Sequence, residues 1–331
     1  MNKKNLSFLI IGMLIYGIFG CKDGELDPNK SGLLVPKIVV ENPSLPSIKI
    51  NNVMLHSEAF GNPNNPLLLV LHGGPGGDYR YLLNCKKFVD DGFYVVFYDQ
   101  RGSGLSQRFS KESYKIADIE EEVGGVISYY RKSPNQKVFI LGHSWGGMLA
   151  TIYINANPTK INGAIIAEPG GFIWQDVKDY ISRAFKFNFT SEALNDATYQ
   201  DQFITGDKDQ HQLLDYKFSL FVAAEKDSPV GNEGPTPFWR YGAVINRTLL
   251  DLGDKEKPNW TTNLSQYKTK TLFVYSQNNT AYGEAYAKKV SSAYPNVQLE
   301  LIKNTGHDMI SFDKGWQNFY PLAKAYLNAL K

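Results

Sequence analysis

Cysteine is scarce in this sequence. Its 331 residues include two, Cys21 and Cys85, which allows at most one intramolecular disulfide and excludes a disulfide-built scaffold. Histidine is scarce too. His56, His72, His143, His211 and His307 are scattered without metal-ligand spacing, so neither a metal nor a cofactor is expected. No excess of one charge is present: 35 basic residues stand against 33 acidic ones, for a formal net charge of +2, and no block of like charge occurs. Nucleic-acid binders carry a basic stripe, so that class is excluded. The chain also lacks an apolar run of the ~20 residues that a membrane-spanning helix needs. It does have ample core material. Hydrophobic residues make up 43% and aromatics 13%, which excludes a disordered or low-complexity chain. No internal repeat is visible.

The first 20 residues read as a targeting segment rather than as part of the fold. Lys3 and Lys4 precede an apolar run from Leu6 to Phe19, which ends at Gly20-Cys21. A positive start, a short apolar stretch and a small residue before the cut describe a secretory signal. Ile18-Phe19-Gly20-Cys21 resembles a bacterial lipobox, which implies that Cys21 is lipidated and becomes the new N-terminus. Removing residues 1–20 takes two lysines and no acid, leaving 33 basic against 33 acidic residues. Membrane attachment in the cell envelope is therefore expected to rest on lipid rather than on charge. Residues 21–46, with Pro28, Pro36, Pro43 and Pro46 among polar spacers, read as a tether.

From about residue 47 the pattern alternates strand and helix. Leu67–Leu71, Tyr94–Tyr98, Val138–Leu141, Gly163–Ala167, Thr271–Tyr275 and Val297–Ile302 are apolar runs of the kind that suits strands buried on both faces. Ile116–Tyr130, Met148–Asn155 and Trp316–Leu330 read as helices. Such alternation predicts a doubly wound, mostly parallel α/β sheet. The rhythm breaks over residues 172–265, which are rich in aromatic and polar residues. They are expected to form a helical cap inserted between a first core part, 47–171, and a second, 266–331, and to govern substrate choice more than intrinsic reactivity.

Three glycine-rich motifs follow strands. Gly142-His143-Ser144-Trp145-Gly146 fits G-x-S-x-G, the strand-to-helix elbow that exposes a nucleophilic serine. Glycines permit the sharp turn, and the helix start favours developing negative charge at Ser144. His72-Gly73-Gly74-Pro75-Gly76-Gly77 offers unshielded amides. With the amide after the nucleophile they make an oxyanion hole, here Gly74 and Trp145. A phosphate loop is the alternative, but no Lys-Ser/Thr follows and the G-x-G-x-x-G spacing is absent. Asp99-Gln100-Arg101-Gly102-Ser103-Gly104 is read as structural, with Asp99 and Arg101 pairing to brace the glycine loop. The general base must follow Ser144 in the chain. His211 falls inside the insertion, whereas His307 lies just past the last strand, at the sheet edge where Ser144 emerges. His307 is therefore the expected base, and His56, His72 and His143 are read as structural.

Together His72–Gly77, Asp99–Gly104, Gly142–Gly147 and Gly306-His307 resemble α/β-hydrolases of the proline iminopeptidase type, over about residues 48–331. The resemblance implies a serine hydrolase that releases an N-terminal residue, often proline, from small peptides. It also implies cap acids that hold the substrate's amino terminus. Glu192, Glu225 and Glu233 are cap acids, but no local pattern assigns that role to any of them. The sequence departs from the family at the triad acid. The usual segment is Ser276-Gln277-Asn278-Asn279-Thr280 here and carries no carboxylate. Glu168, after the strand beside the nucleophile strand, is the expected replacement, giving the order Ser144, Glu168, His307. Asn278 or Asn279 is the alternative. An esterase or lactonase on the same machinery, or a binding protein that kept the fold without catalysis, are the competing functions.

Overall fold

The computed structural model describes residues 35–184, 210–223 and 228–331. Among them eight strands form one sheet in the order β1-β2-β4-β3-β5-β6-β7-β8. The strands are β1 (Ser47–Ile50), β2 (Val53–Phe60), β3 (Leu67–Leu71), β4 (Tyr94–Tyr98), β5 (Val138–His143), β6 (Gly163–Ala167), β7 (Thr271–Ser276) and β8 (Val297–Ile302). From β4 to β8 every neighbouring pair is parallel, while β1 and β2 run antiparallel at one edge. This is the doubly wound, mostly parallel α/β sheet that the apolar runs predict. β1 gives no such run because an edge strand alternates, with Ile48 and Ile50 buried and Ser47 and Lys49 exposed, and β2 gives none because buried His56 and Ser57 interrupt its apolar residues. Their turn is Asn51-Asn52, both at positive φ (47° and 65°), which asparagine tolerates well.

Alternation along the central strands divides the core in two. Leu67, Leu69 and Leu71 of β3 join one cluster with Val123 and Val126 of helix α1 (Ile116–Tyr130) and Leu149 of α2 (Trp145–Ala156). Leu68 and Val70 join the other, with Phe88 and with Phe319 and Leu327 of the C-terminal helix Asp313–Leu330. All five β3 side chains are fully buried, each contributing roughly 1.5–3 kcal/mol of apolar transfer. With helices on both faces, the sheet leaves its carboxyl edge open to hold a site.

The insertion contains helices α3 (Trp174–Ala184), α4 (Gln210–Ala223) and α5 (Ala243–Glu256). Its two ends lie side by side. Ile173 bridges Asn259, Trp174 N–H donates to Pro258 O at 3.0 Å, and Trp260 N–H donates to Phe172 O at 2.9 Å. Helices α6 (Gly283–Ser291) and α7 (Asp313–Leu330) complete the second core part.

The expected tether needs correction at its C-terminal end. Val35, Ile38 and Val39 are buried, and Val39 N–H donates to Leu105 O at 2.8 Å. Three apolar residues spaced over one turn are enough to dock this stretch, so the domain begins by residue 35 rather than at 47. The apolar run Leu6–Phe19 and Cys21 lie outside the described residues. Among the described residues no helix is long and apolar enough to cross a membrane.

Candidate active site

Ser144 sits between the end of β5 and the first turn of α2, with φ 56° and ψ −123°. That left-handed backbone costs a side-chain-bearing residue on the order of 1–3 kcal/mol, and the surroundings impose it. Ser144 N–H donates to Ala167 O at 2.9 Å, tying the elbow to the end of β6. A Cβ on Gly142 would strike the Gly146 carbonyl, and one on Gly146 would strike the Leu71 carbonyl, so the motif's glycines let the chain double back. Its neighbours His143 and Trp145 are buried, but Ser144 is partly open to solvent.

Glu168 follows β6 directly and is also held at positive φ, 46°. Its carboxylate is buried and accepts four hydrogen bonds. Ser276 N–H and Ser276 Oγ donate to Oε1 at 2.8 Å each. Asn279 Nδ2 donates to Oε2 at 3.1 Å, and His307 Nδ1 meets the same oxygen at 2.7 Å. Because Oε2 can only accept, His307 carries its proton on Nδ1 and presents Nε2 as a basic lone pair. Burial disfavours the imidazolium, but the hydrogen bond and charge of Glu168, with Asp308 behind them, bring the net His307 pKa above its ordinary 6.5.

The carboxylate-free segment 276–280 thus supplies donors to Glu168. Asn279 also donates to Tyr180 Oη at 3.1 Å and accepts from Tyr282 N–H at 3.2 Å. Asn278 donates through its backbone to Thr305 O at 2.9 Å. Among the described residues neither asparagine hydrogen-bonds the His307 ring.

The glycine loop lies against the elbow. A Cβ on Gly73 would stand 2.9 Å from Ser144 Cβ, and Gly74 has φ +126°. Among the described residues neither Gly74 N–H nor Trp145 N–H has a hydrogen-bond partner, so both remain available to an oxyanion. Gln100, which the sequence reading placed only in a structural motif, ties the two halves together. Its backbone N–H donates to His72 Nε2 at 3.0 Å, its side-chain amide donates to His72 O at 2.9 Å, and its Oε1 accepts from Trp145 Nε1 at 2.8 Å.

Asp99 and Arg101 do not pair as expected. Arg101 meets Glu122 at 2.9 Å and Asp118 at 3.3 Å, because these acids lie on α1 beneath the loop. Asp99 still braces the turn after the glycine loop: it accepts from Tyr79 N–H at 3.0 Å, Leu105 N–H at 2.8 Å and His56 Nδ1 at 2.8 Å.

The family model described as alpha/beta hydrolase fold matches residues 66–314. The chain belongs to this family. It is similar to the AB hydrolase superfamily protein YfhM of Bacillus subtilis, with 32% identity over 119 residues, 36% of this chain and 41% of that protein. The proline iminopeptidase of Thermoplasma volcanium shares 34% over 123 residues, 36% of this chain and 40% of that protein. The matched part therefore spans about two fifths of those relatives' length. Other relatives at 29–30% identity are named epoxide hydrolases. Among solved structures, the proline iminopeptidase-related protein TTHA1809 of Thermus thermophilus has a TM-score of 0.59 at 19% identity, covering 86% of this chain and 96% of that one.

In this α/β-hydrolase frame the insertion reaches the loops of the candidate site. Residues 228–246 hydrogen-bond the histidine loop and the glycine loop. His307 N–H donates to Val230 O at 2.9 Å, and Asp308 N–H donates to Asn232 Oδ1 at 2.8 Å. Asp308 Oδ2 in turn accepts from Asn232 Nδ2 at 2.9 Å and from Thr236 Oγ1. On the other side Tyr241 Oη and Asn246 Nδ2 donate to Pro75 O at 2.9 and 2.7 Å. The insertion thus hydrogen-bonds the histidine loop and the glycine loop directly.

Among the cap acids, Glu233 lies 3.8 Å from Lys314, and Glu192 and Glu225 fall outside the described residues. His211 lies in α4. The insertion acid that stands out is Asp215, which the sequence reading missed. It is fully buried and accepts from Arg240 at 2.7 Å, from Arg108 at 3.1 Å and from Ala243 N–H at 2.9 Å. His143, His307 and Asp308 bring metal-ligating atom types within 4.8 Å of one another, but hydrogen bonds to Tyr81, Glu168, Asn232 and Thr236 engage them.

Proposed function

We propose that this protein is a serine hydrolase of the proline iminopeptidase type, releasing N-terminal residues from small peptides through an acyl-enzyme on Ser144. One observation carries the reading: the Glu168–His307 contact of 2.7 Å beside the strained Ser144 elbow. His307 Nε2 takes the Ser144 proton as Oγ attacks the substrate carbonyl. The amides of Gly74 and Trp145 receive the oxyanion, and Glu168 stabilises the imidazolium. On collapse the proton passes from His307 to the departing amine. Water, deprotonated by the same nitrogen, then releases the acyl group. No step calls for a metal or cofactor. The peptidase choice is supported by the His72–Gly77 motif and by relatives named proline iminopeptidase.

A second reading, a carboxylesterase or lactonase on the same residues, is favoured by Glu233, which lies beside Lys314 rather than standing free to hold a substrate amine. A non-catalytic binding protein is disfavoured by the Glu168–His307 pairing, which leaves His307 Nε2 as a basic lone pair. In this proposal residues 1–20 are a signal peptide, and lipid on Cys21 attaches the mature protein to the membrane of the cell envelope. The test is labelling with a fluorophosphonate, followed by chromogenic prolyl amides and simple esters. Labelled wild type, unlabelled Ser144→Ala and preferred cleavage of prolyl amides are expected. Turnover of esters alone would overturn the peptidase reading, and unlabelled wild type would overturn the serine-hydrolase reading.

A further inference from the structure

A chain of hydrogen bonds not used in the chemistry above joins the three loops that carry it. Gly73 N–H and Tyr81 Oη are 2.7 Å apart, Tyr81 Oη and His143 Nδ1 are 2.8 Å apart, and His143 Nε2 and His307 O are 2.8 Å apart. The ends dictate the direction. A backbone amide can only donate, so Tyr81 Oη accepts from Gly73. A carbonyl can only accept, so His143 carries its proton on Nε2, leaving Nδ1 to accept from the Tyr81 hydroxyl. Each donor in the chain then meets an acceptor, and the arrangement suits only a neutral His143. Tyr81 is 3% exposed and His143 1%, so no water replaces a missing partner cheaply.

The chain's contacts fall at informative positions. Gly73 precedes the oxyanion donor Gly74, His143 precedes the nucleophile Ser144, and the final acceptor is the backbone of His307 itself. The His143 and His307 rings lie 4.6 Å apart, centroid to centroid, so a shift of one is felt by the other. We infer that Tyr81 and His143 are positioning residues that lock the oxyanion loop, the nucleophile elbow and the base loop into one register. They touch neither substrate nor the reacting atoms and act through Gly73, Ser144 and His307. The inference rests on the serine-hydrolase reading.

The test uses the full-length protein and three variants. Tyr81→Phe removes one hydroxyl and leaves both Gly73 N–H and His143 Nδ1 unpartnered. His143→Gln keeps a donor for His307 O but removes the acceptor for Tyr81. Tyr294→Phe is the control: it deletes another buried tyrosine hydroxyl, bonded to Thr151 Oγ1 at 2.7 Å, on the α2 side away from the relay. We expect Tyr81→Phe to lower kcat about ten- to a hundredfold with KM within about threefold, and to slow fluorophosphonate labelling in step. Tyr294→Phe should lower the melting temperature comparably while leaving kcat near wild type. The double variant Tyr81→Phe/His143→Gln should lose no more than the worse single one, because either change breaks the same chain. The inference falls if Tyr81→Phe keeps kcat within threefold, if Tyr294→Phe costs as much, or if the two single losses multiply. Should Tyr81→Phe fail to fold, His143→Gln alone carries the kcat-against-KM comparison. Wild type that resists labelling would remove the serine-hydrolase reading and this inference with it, whereas labelled wild type with unaffected variants removes only the inference.

Discussion

Asn279 Nδ2 donates to Glu168 Oε2, the same carboxylate oxygen that His307 Nδ1 meets, so the asparagine supports the acid instead of replacing it. Glu168→Gln keeps the size of the side chain but removes the charge facing an imidazolium. Its kcat should fall by roughly 10³–10⁴, with substrate affinity changed much less. Asn279→Ala deletes one of four donors to Glu168 and should cost only about tenfold. Steady-state kinetics of the two variants checks the order. If Asn279→Ala proves the more damaging, Glu168 is not the orienting acid.

The pH profile follows from the environment of His307. Burial opposes its protonation, but Glu168 and Asp308 outweigh burial and raise its pKa above 6.5, and neutral His143 faces it from β5. The base is active only when deprotonated, so the acidic limb of kcat/KM should lie above pH 6.5. The sign for stability is opposite. The favourable contribution of protonated His307 is complete below 6.5 and is lost as pH rises through the raised folded value. Asp308→Asn removes one of the charges that raise the pKa, so the limb should move to lower pH. A limb that stays fixed in this variant, or moves up, would contradict the assignment.

Ser144 offers a test of backbone strain that does not depend on substrate. Alanine at this position keeps the Cβ that disfavours φ 56°, whereas glycine does not. Ser144→Gly should be more stable than Ser144→Ala by on the order of 1 kcal/mol, or about 2 °C in melting temperature. Both should lack turnover. Equal melting points would mean that the elbow relaxes without its serine.

Asp215 stands between two guanidinium groups that are themselves almost fully buried, at 5% side-chain exposure for Arg108 and 1% for Arg240. Asp215→Ala leaves two positive charges without their shared partner and should destabilise the fold by about 3–5 kcal/mol, read from chemical denaturation. A loss below about 1 kcal/mol would show that Glu41, which also approaches Arg240, takes over the pairing.

For the N-terminus, the lipoprotein proposal predicts that Cys21→Ser releases the protein from membranes or leaves it unprocessed, because in that proposal lipid rather than charge carries the attachment. Unchanged fractionation and unchanged size of the Cys21→Ser protein on a gel would end the lipoprotein proposal.

Much of the frame was legible along the chain because its causes are local. Strands β3, β4 and β6 coincide with runs of apolar residues, because parallel strands buried on both faces leave no room for polar side chains, and α1 coincides with its periodic pattern; β8, read as another apolar run, is an edge strand that carries Gln298 and Glu300 and is only half-buried. Ser144, the glycine loop and His307 could be proposed because each sits at a fixed offset from such a strand. Only the tertiary structure could decide partners. Whether Glu168, Asn278 or Asn279 faces His307 depends on how three strand ends meet, and nothing local distinguishes them. The same holds for Arg101 choosing Glu122 over Asp99, for the Tyr81–His143 chain, and for Asp308 gripping Asn232 and Thr236 across 76 and 72 residues of sequence. Hydrogen bonds and ion pairs join groups within about 3 Å in space, and a one-dimensional pattern records spacing along the chain rather than distance across it.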